Sequence, residues 1–478
     1  MVYNINMDQE NTDKLQAKKG RITIFTVVIT AFITTFTGSA LNLSIPNIGE
    51  EMGASAGFVG WLITGYTLAV AAFSVPMGRL ADITCRKRVL VWGIIIFEAS
   101  CLAAVFSVSM EMLLAVRILQ GIGASMIFST NTAVLISAFP EKLRGKVLGY
   151  SLASTYVGLS AGPVVGGFLN HNLGWRSIFV FTGILGIGAL IAAAAGLRAE
   201  KSPNGKKSMD IRGCGLYCAF IVLLMYGLSE AGKGSWTIAA ALAGAVLGVV
   251  FVIYEMRTED PAVNVRLFAE NRGYGFSNLA ALMNYGATFA ISYLISIYLQ
   301  VVMGYSSQTA GLIMIFQPLI MAFLSPAAGR LSDRLSPFRL SSAGMGLCAL
   351  GTCGFIFIGE DTGLWLIIGS LAVTGLGFAL FSSPNTNAVM SCVDKENYGV
   401  ASSVLATMRS IGHTMSMVIV TVIVTGFADD TQLSEVPAGI LVKIINISFT
   451  VFAAICAAGV FISLMRKNDS KRRSNESI

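Results

Sequence analysis

The sequence is poor in charge. Of 478 residues, 12% are Asp, Glu, Lys or Arg and 54% are hydrophobic, whereas a soluble domain carries about 25% charge. An ordinary soluble protein is excluded. Histidine is almost missing, with only His171 and His413 in the chain. The eight cysteines fall in apolar stretches or short turns. Neither a disulfide framework nor a zinc site has the spacing it needs. There is no Walker loop and no nucleophile–base set. Gly121-Ile122-Gly123 lies inside an apolar run, where it packs helices and is no nucleotide fingerprint. No segment between the apolar runs is long enough to fold as a soluble domain. Enzyme chemistry and cofactors are therefore not expected. Ahead of the first apolar run stand Asp8, Glu10, Asp13, Lys14, Lys18 and Lys19, without the small-residue cleavage pattern of a signal peptide.

What the chain does have is long uncharged runs. Ile22–Gly49, Met52–Gly78, Thr362–Val393 and Ile444–Met465 all exceed the ~20 residues that cross ~30 Å of hydrocarbon. So does the stretch between Lys146 and Arg176. Gly273–Gly329 holds no charge over 57 residues, enough for two helices parted at Gly304-Tyr-Ser-Ser-Gln308. The pattern predicts an all-α membrane protein with fourteen spans: 22–46, 55–77, 88–109, 112–138, 146–169, 176–196, 212–230, 236–256, 275–302, 308–328, 340–359, 363–388, 399–426 and 440–465. Lys and Arg then sort by face. Of 33, 28 fall on one face, Arg176, Lys233 and Lys443 on the other, and Arg117 and Arg409 inside spans. Basic loops stay cytoplasmic, so both termini are expected in the cytoplasm and the chain in the plasma membrane. The same charges account for the net +7 without nucleic acid.

A repeat divides the chain. GRLADITCRKRVL, Gly78 to Leu90, returns as GRLSDRLSPFRL, Gly329 to Leu340, 251 residues later. Each reads as the turn joining the second and third spans of a half. The expected organisation is a cytoplasmic tail (1–21), a six-helix bundle (22–196), a cytoplasmic linker (197–211), an inserted hairpin (212–256), a second six-helix bundle (275–465) and a basic tail (466–478). Two homologous halves in a membrane suggest a transporter.

The fifth span reads GLSAGPVVGG. Gly158, Gly162 and Gly166 repeat every four residues and form one smooth stripe, so another backbone can approach closely. Pro163 removes a helical hydrogen bond and bends the span, and Gly167 closes the motif. With this motif, the Gly78–Leu90 turn, LLAVRILQGIGAS (Leu113–Ser125) and MDIRGCGLY followed by GKGSW (Met209–Trp236), the chain resembles the major facilitator superfamily, in its fourteen-helix drug:proton antiporter branch. The resemblance covers nearly the whole chain. It implies a major facilitator fold of two six-helix bundles plus a hairpin, and antiport of drugs against protons. It also implies a gate, in which Asp82, with Arg86 beside it, closes the cytoplasmic side against the start of the thirteenth span near Tyr398; Asp333 takes the pseudo-symmetric role. A carboxylate does favour a helix N-terminus, although simple turn capping is the alternative. Three positions depart from the family pattern. Ile83 replaces a basic residue, Cys85 replaces a glycine, and Thr37 replaces the membrane-embedded aspartate of the first span.

Few charges are embedded. Thr37 and Arg117 lie at similar depths, roughly 14 and 10 Å below the outer boundary at 1.5 Å per residue, so Arg117 lacks its usual carboxylate. A charge at mid-membrane costs ~2.5–3.5 kcal/mol on insertion scales; Arg117 is either functional or bonded to backbone carbonyls. Glu98 is the one acid deep in a span. It is either the proton carrier or a structural, lipid-side group, since it sits ~8 Å deeper than Arg117 on a span expected to face outward. Arg409 and His413, four residues apart, share a helix face, and an imidazole can titrate near neutral pH. These four are the candidates for proton coupling. Asn42, Thr37, Gln120, Asn131, Asn284, Tyr293, Gln317, Asn385 and Asn387 are candidate cavity residues for a greasy ligand held by few polar contacts.

The leading expectation is proton-coupled efflux of a small amphipathic compound by alternating access. The alternative is uptake, or exchange without protons, and a membrane sensor is a distant third. Expected partners are the small-molecule substrate, protons and the lipid bilayer, with a single copy of the chain sufficing. Two embedded arginines against one glutamate favour neutral or anionic substrates over strongly cationic ones.

Overall fold

The computed structural model describes residues 2–139, 141–197, 209–230, 234–263, 265–266, 268, 271–393, 398–428 and 431–465. Among these residues regular structure is helical throughout, apart from one isolated bridge between Ser55 and Gln432. The first bundle holds α1 (Val2–Asn42), α2 (Ile45–Met52), α3 (Ala56–Ile83), α4 (Arg86–Val105), α5 (Met110–Ala138), α6 (Glu141–Ala161), α7 (Gly167–Leu173) and α8 (Arg176–Gly196). The hairpin is α9 (Ile211–Ser229) and α10 (Ser235–Arg257). The second bundle holds α11 (Arg272–Thr288), α12 (Ile291–Ile297), α13 (Ser307–Met314), α14 (Phe316–Arg334), α15 (Pro337–Gly354), α16 (Leu364–Ser391), α17 (Tyr398–Ala428) and α18 (Ala438–Leu464).

Local chemistry sets the helix starts. Ser55, Ser109, Asn271 and Ser306 cap α3, α5, α11 and α13, each side chain accepting a hydrogen bond from a backbone N–H three residues on. Gly53 ends α2 in the left-handed region, φ 62°, where glycine carries no steric penalty. The turn after α3 shrinks to Thr84 and Cys85, so most of the Gly78–Leu90 motif is helix. Cys85 is extended, φ −145° and ψ 114°, a conformation open to any residue, so no glycine is needed here.

Several expected spans are broken. The first stops at Asn42, and Pro46 opens the separate α2 in its first turn. The ninth divides at Phe289–Ala290 and finishes as a π-turn over Tyr298–Val302; the tenth divides at Ile315. Thirteen helices among the described residues are long and apolar enough to cross a membrane. The expected fifth span is not among them. It is helical from Glu141 to Leu173, but Gly162–Gly166 form a π-turn that separates α6 from α7. Pro163 lies in that turn, where the α-helical hydrogen bond it cannot make is skipped.

The glycine stripe explains the closest packing. A carbon added to Gly158 would collide with Thr35 and the Phe32 carbonyl, to Gly162 with Ser39, and to Gly166 with Ala40, so α6 lies directly on the α1 backbone. The other side of the same turn meets the second bundle. A carbon at Gly167 would strike the Ser307 carbonyl, and one at Gly311 the Pro163 carbonyl.

The Gly167 and Gly311 contacts lie toward one end of the molecule. The end carrying Arg86-Lys87-Arg88 is here the basic end, and the opposite one the far end. At the far end the bundles are sewn together: Ala56 N–H donates to the Thr431 carbonyl (2.7 Å), and Ser296 Oγ to the Asn42 carbonyl (2.8 Å). About two turns further in, Thr64 and Thr421 hydroxyls meet at 3.1 Å. Glu51 accepts from Trp175 Nε1 (2.7 Å) and Arg176 (2.5 Å), tying α2 to α8. Burial pushes the Glu51 carboxyl up, but the bonds from Arg176 and Trp175 outweigh it and hold the group below its usual value.

Gly158→Val should therefore break the α1–α6 contact and cost about 1–3 kcal/mol or more through overpacking. Gly188→Val, at a position with open space around it, should not. Thermal unfolding of the two purified variants, followed by size-exclusion fluorescence, compares them; equal melting would remove the packing role of the stripe.

Candidate functional site

Arg117 is the largest charged group in the interior, 1% exposed. On α5 its Nε donates to the Leu62 carbonyl of α3 (3.3 Å), Nη1 donates to Gln120 Oε1, and the guanidinium lies 4.1 Å from the Tyr66 ring centroid. Gln120 in turn donates to Cys101 Sγ of α4 (3.0 Å). All these partners are neutral. The positive charge is solvated by a carbonyl, an amide oxygen and a π-face, but no carboxylate cancels it.

Arg409 repeats this on α17. It donates to Thr386 Oγ1 of α16 (2.9 Å) and lies 5.3 Å from the Tyr285 ring of α11. His413 stacks on Phe289 at 4.2 Å and meets Tyr285 edge-on at 5.3 Å. The Tyr285 hydroxyl pairs with Ser382 (3.1 Å), and its ring abuts Phe378. Arg409 and His413 thus share one aromatic cluster, as their spacing predicts. Among the described residues neither Arg117 nor Arg409 forms an ion pair.

Glu98 is held apart from both arginines. It lies on the α4–α8 interface in a notch left by Gly183 and Gly186; a carbon added to Gly186 would collide with the carboxyl. Glu98 is 9% exposed and neither oxygen has a hydrogen-bond partner among the described residues. Thr37, at Arg117's expected depth, turns the other way. Its hydroxyl donates to the Ile33 carbonyl (2.6 Å) and pairs with Thr182 of α8 (3.0 Å).

The remaining polar candidates are spread over the helix contacts. Asn131 accepts from Thr30 (3.1 Å), Asn385 donates to the Ser277 carbonyl (3.2 Å), and Asn387 donates to Ser332. Each joins two helices. Asn42, Asn284 and Gln317 are buried. Tyr293 is 1% exposed, and its hydroxyl, without a partner, faces Gly60 of α3 across the line between the bundles. Of the gate residues, Asp82 accepts from Arg86 at 3.0 Å across the α3–α4 turn, and α3 packs against α17. The side chains of Asp333 and Tyr398 lie outside the described residues.

Sequence reading missed Tyr66, Cys101, Tyr285, Phe289 and Thr386, the neutral groups around the two arginines and His413, and Thr182, which pairs with Thr37. Tyr66 and Tyr285 carried a signal, each an aromatic on a helix neighbouring an embedded arginine. Thr182 and Thr386 carried none.

A family model described as Major Facilitator Superfamily matches residues 27–417. The chain is 28% identical to the riboflavin transporter RibZ of Clostridioides difficile, over 95% of this chain and 99% of that one. It is 30% identical to the multidrug transporter protein MdtP of Bacillus subtilis, over 84% and 74%. Among solved structures, a bacterial homolog of the human lysosomal transporter Spinster superposes with a TM-score of 0.69 at 13% identity, covering 94% of this chain and 97% of that one.

Removing Gln120 tests the Arg117 cluster. Gln120→Ala strips a partner from a buried guanidinium and should cost about 1–3 kcal/mol, whereas Cys101→Ser, which keeps an acceptor, should stay near neutral. Thermal unfolding in detergent measures both, and equal effects would contradict the arrangement.

Proposed function

Because the chain belongs to the Major Facilitator Superfamily and is a multi-pass membrane transporter, not an enzyme, we propose that it exports a small amphipathic compound in exchange for protons. It crosses the membrane fourteen times with both termini in the cytoplasm, so the basic end is the cytoplasmic end. The helix from Glu141 to Leu173, fifth in chain order, adds to the thirteen long apolar helices to make fourteen. Alternating access runs between the far-end seal and the basic end, where Asp82 and Arg86 form the gate and Asp333 is its counterpart.

The observation that carries the substrate class is the pair of uncompensated guanidinium groups. Among the described residues Arg117 and Arg409 meet only carbonyl, amide, hydroxyl and aromatic partners. A buried positive charge without a counterion attracts a ligand that brings electron-rich or negative groups. Neutral and anionic aromatic compounds fit this better than cationic dyes. The aromatic surfaces of Tyr285, Phe289 and His413 supply stacking beside Arg409. Glu98 carries the exchanged proton in place of the missing first-span aspartate, since it is the embedded acid whose oxygens await a partner.

A second reading is uptake, or movement without protons. Thr37 in place of an acid favours it, as does the end-to-end similarity to a riboflavin transporter.

Reconstituted vesicles separate the two. With an imposed pH gradient, a transported compound should release protons with wild type and not with Glu98→Gln, while the variant still binds. A compound that wild type moves without any proton flux would remove antiport. Proton flux undiminished in Glu98→Gln would remove Glu98 as the carrier.

A further inference from the structure

The inserted hairpin begins at MDIRGCGLY, and the transport reading gives this motif no role. Its acid, Asp210, caps α9: Oδ1 accepts from Gly213 N–H (2.8 Å) and from the Tyr254 hydroxyl of α10 (3.0 Å). Next to it stands Glu255, two residues before α10 ends at Arg257; its Oε2 accepts from Val263 N–H (3.1 Å). Each carboxyl group thus has one oxygen satisfied. The other oxygen of each, Asp210 Oδ2 and Glu255 Oε1, is buried with no hydrogen-bond partner among the described residues.

These two orphan oxygens face each other. A carbon added to Gly213 would collide with both at once, and the carboxyl groups are within hydrogen-bonding reach. Glu255 is 1% exposed and Asp210 9%. Among the described residues neither forms an ion pair. The other titratable groups near the pair are Cys214 and Arg212 on α9, Tyr254 on α10, and Arg79 on α3, whose guanidinium donates to the Asp260 carbonyl (3.3 Å). Two ionised carboxylates pressed together, dry and without a counterion, repel strongly. One proton between them removes the repulsion and fills both orphan positions, because the protonated oxygen donates to the ionised one. No group of three or more metal-ligating side chains is found among the described residues, so a metal would have too few ligands here.

We infer that Asp210 and Glu255 form a proton-binding site, sharing one proton that latches the base of the hairpin to the segment leading into the second bundle. The site does not depend on antiport. Its proton ties α9, α10 and the Ala262–Val263 backbone together, and its loss returns two like charges to one buried spot.

Infrared difference spectroscopy on the full chain in lipid nanodiscs tests this, in a Glu98→Gln background so that the other embedded carboxyl does not contribute. A protonated-carboxyl band should be present at neutral pH and vanish on alkalinisation. Asp210→Asn and Glu255→Gln should each abolish it, since either amide donates the hydrogen that the proton provided. Unfolding temperature should fall in the parent as pH rises through the loss of the band, and stay flat in both variants. This second readout holds if one variant expresses poorly. A band unchanged in both variants, or no band at neutral pH, would overturn the inference. So would carboxylate bands that move on adding sodium, magnesium or calcium at fixed pH, which would mean a cation occupies the site.

Discussion

Helices in lipid gain nothing from hiding apolar side chains against one another, because the surrounding tails are equally apolar. Attraction must come from close backbone approach, and in this chain the α6–α7 run supplies it twice. Gly158, Gly162 and Gly166 bring it onto α1 within the first bundle, and Gly167 and Pro163 bring it onto Ser307 and Gly311 of the second. Both contacts meet at the π-turn, where Gly162 and Gly166 face α1 while Pro163 and Gly167 face the second bundle. The far-end seal therefore depends on the same few residues that hold α1 in place. A movement that opens that end has to act on this turn.

Charge is the second constraint, and it is handled by neutral groups. Arg117 and Arg409 are each wrapped by an aromatic face and by oxygen acceptors, so the protein solvates them without cancelling them. Glu98 lies elsewhere, in a glycine notch on the α4–α8 interface. Positive charge kept near the aromatic cluster and negative charge kept away from it is a workable layout for a site whose ligand supplies the missing partner.

Much of this was legible in the sequence, for identifiable reasons. Hydropathy and the placement of Lys and Arg depend on residue type alone, and they gave the helical class and most helix positions. The break at Pro163 was visible because proline lacks an N–H, and its form as a π-turn was not. Depth along a helix follows from counting residues, and direction around the helix does not. Thr37 and Arg117 share a depth, yet one faces α8 and the other α3. Asp210 and Glu255 escaped notice because they are 45 residues apart and meet only through the antiparallel hairpin, with Gly213 leaving the space between them.

Transport by alternating access requires the far-end seal to open and close as substrate moves. Spin labels at Leu173 and Gln308, on a background with the eight native cysteines replaced, report the distance across it. Pulsed electron resonance in nanodiscs should give one short distance at rest and a second, longer population when substrate or a pH gradient is added. A single unchanged distance under conditions where the same protein demonstrably transports would contradict the account.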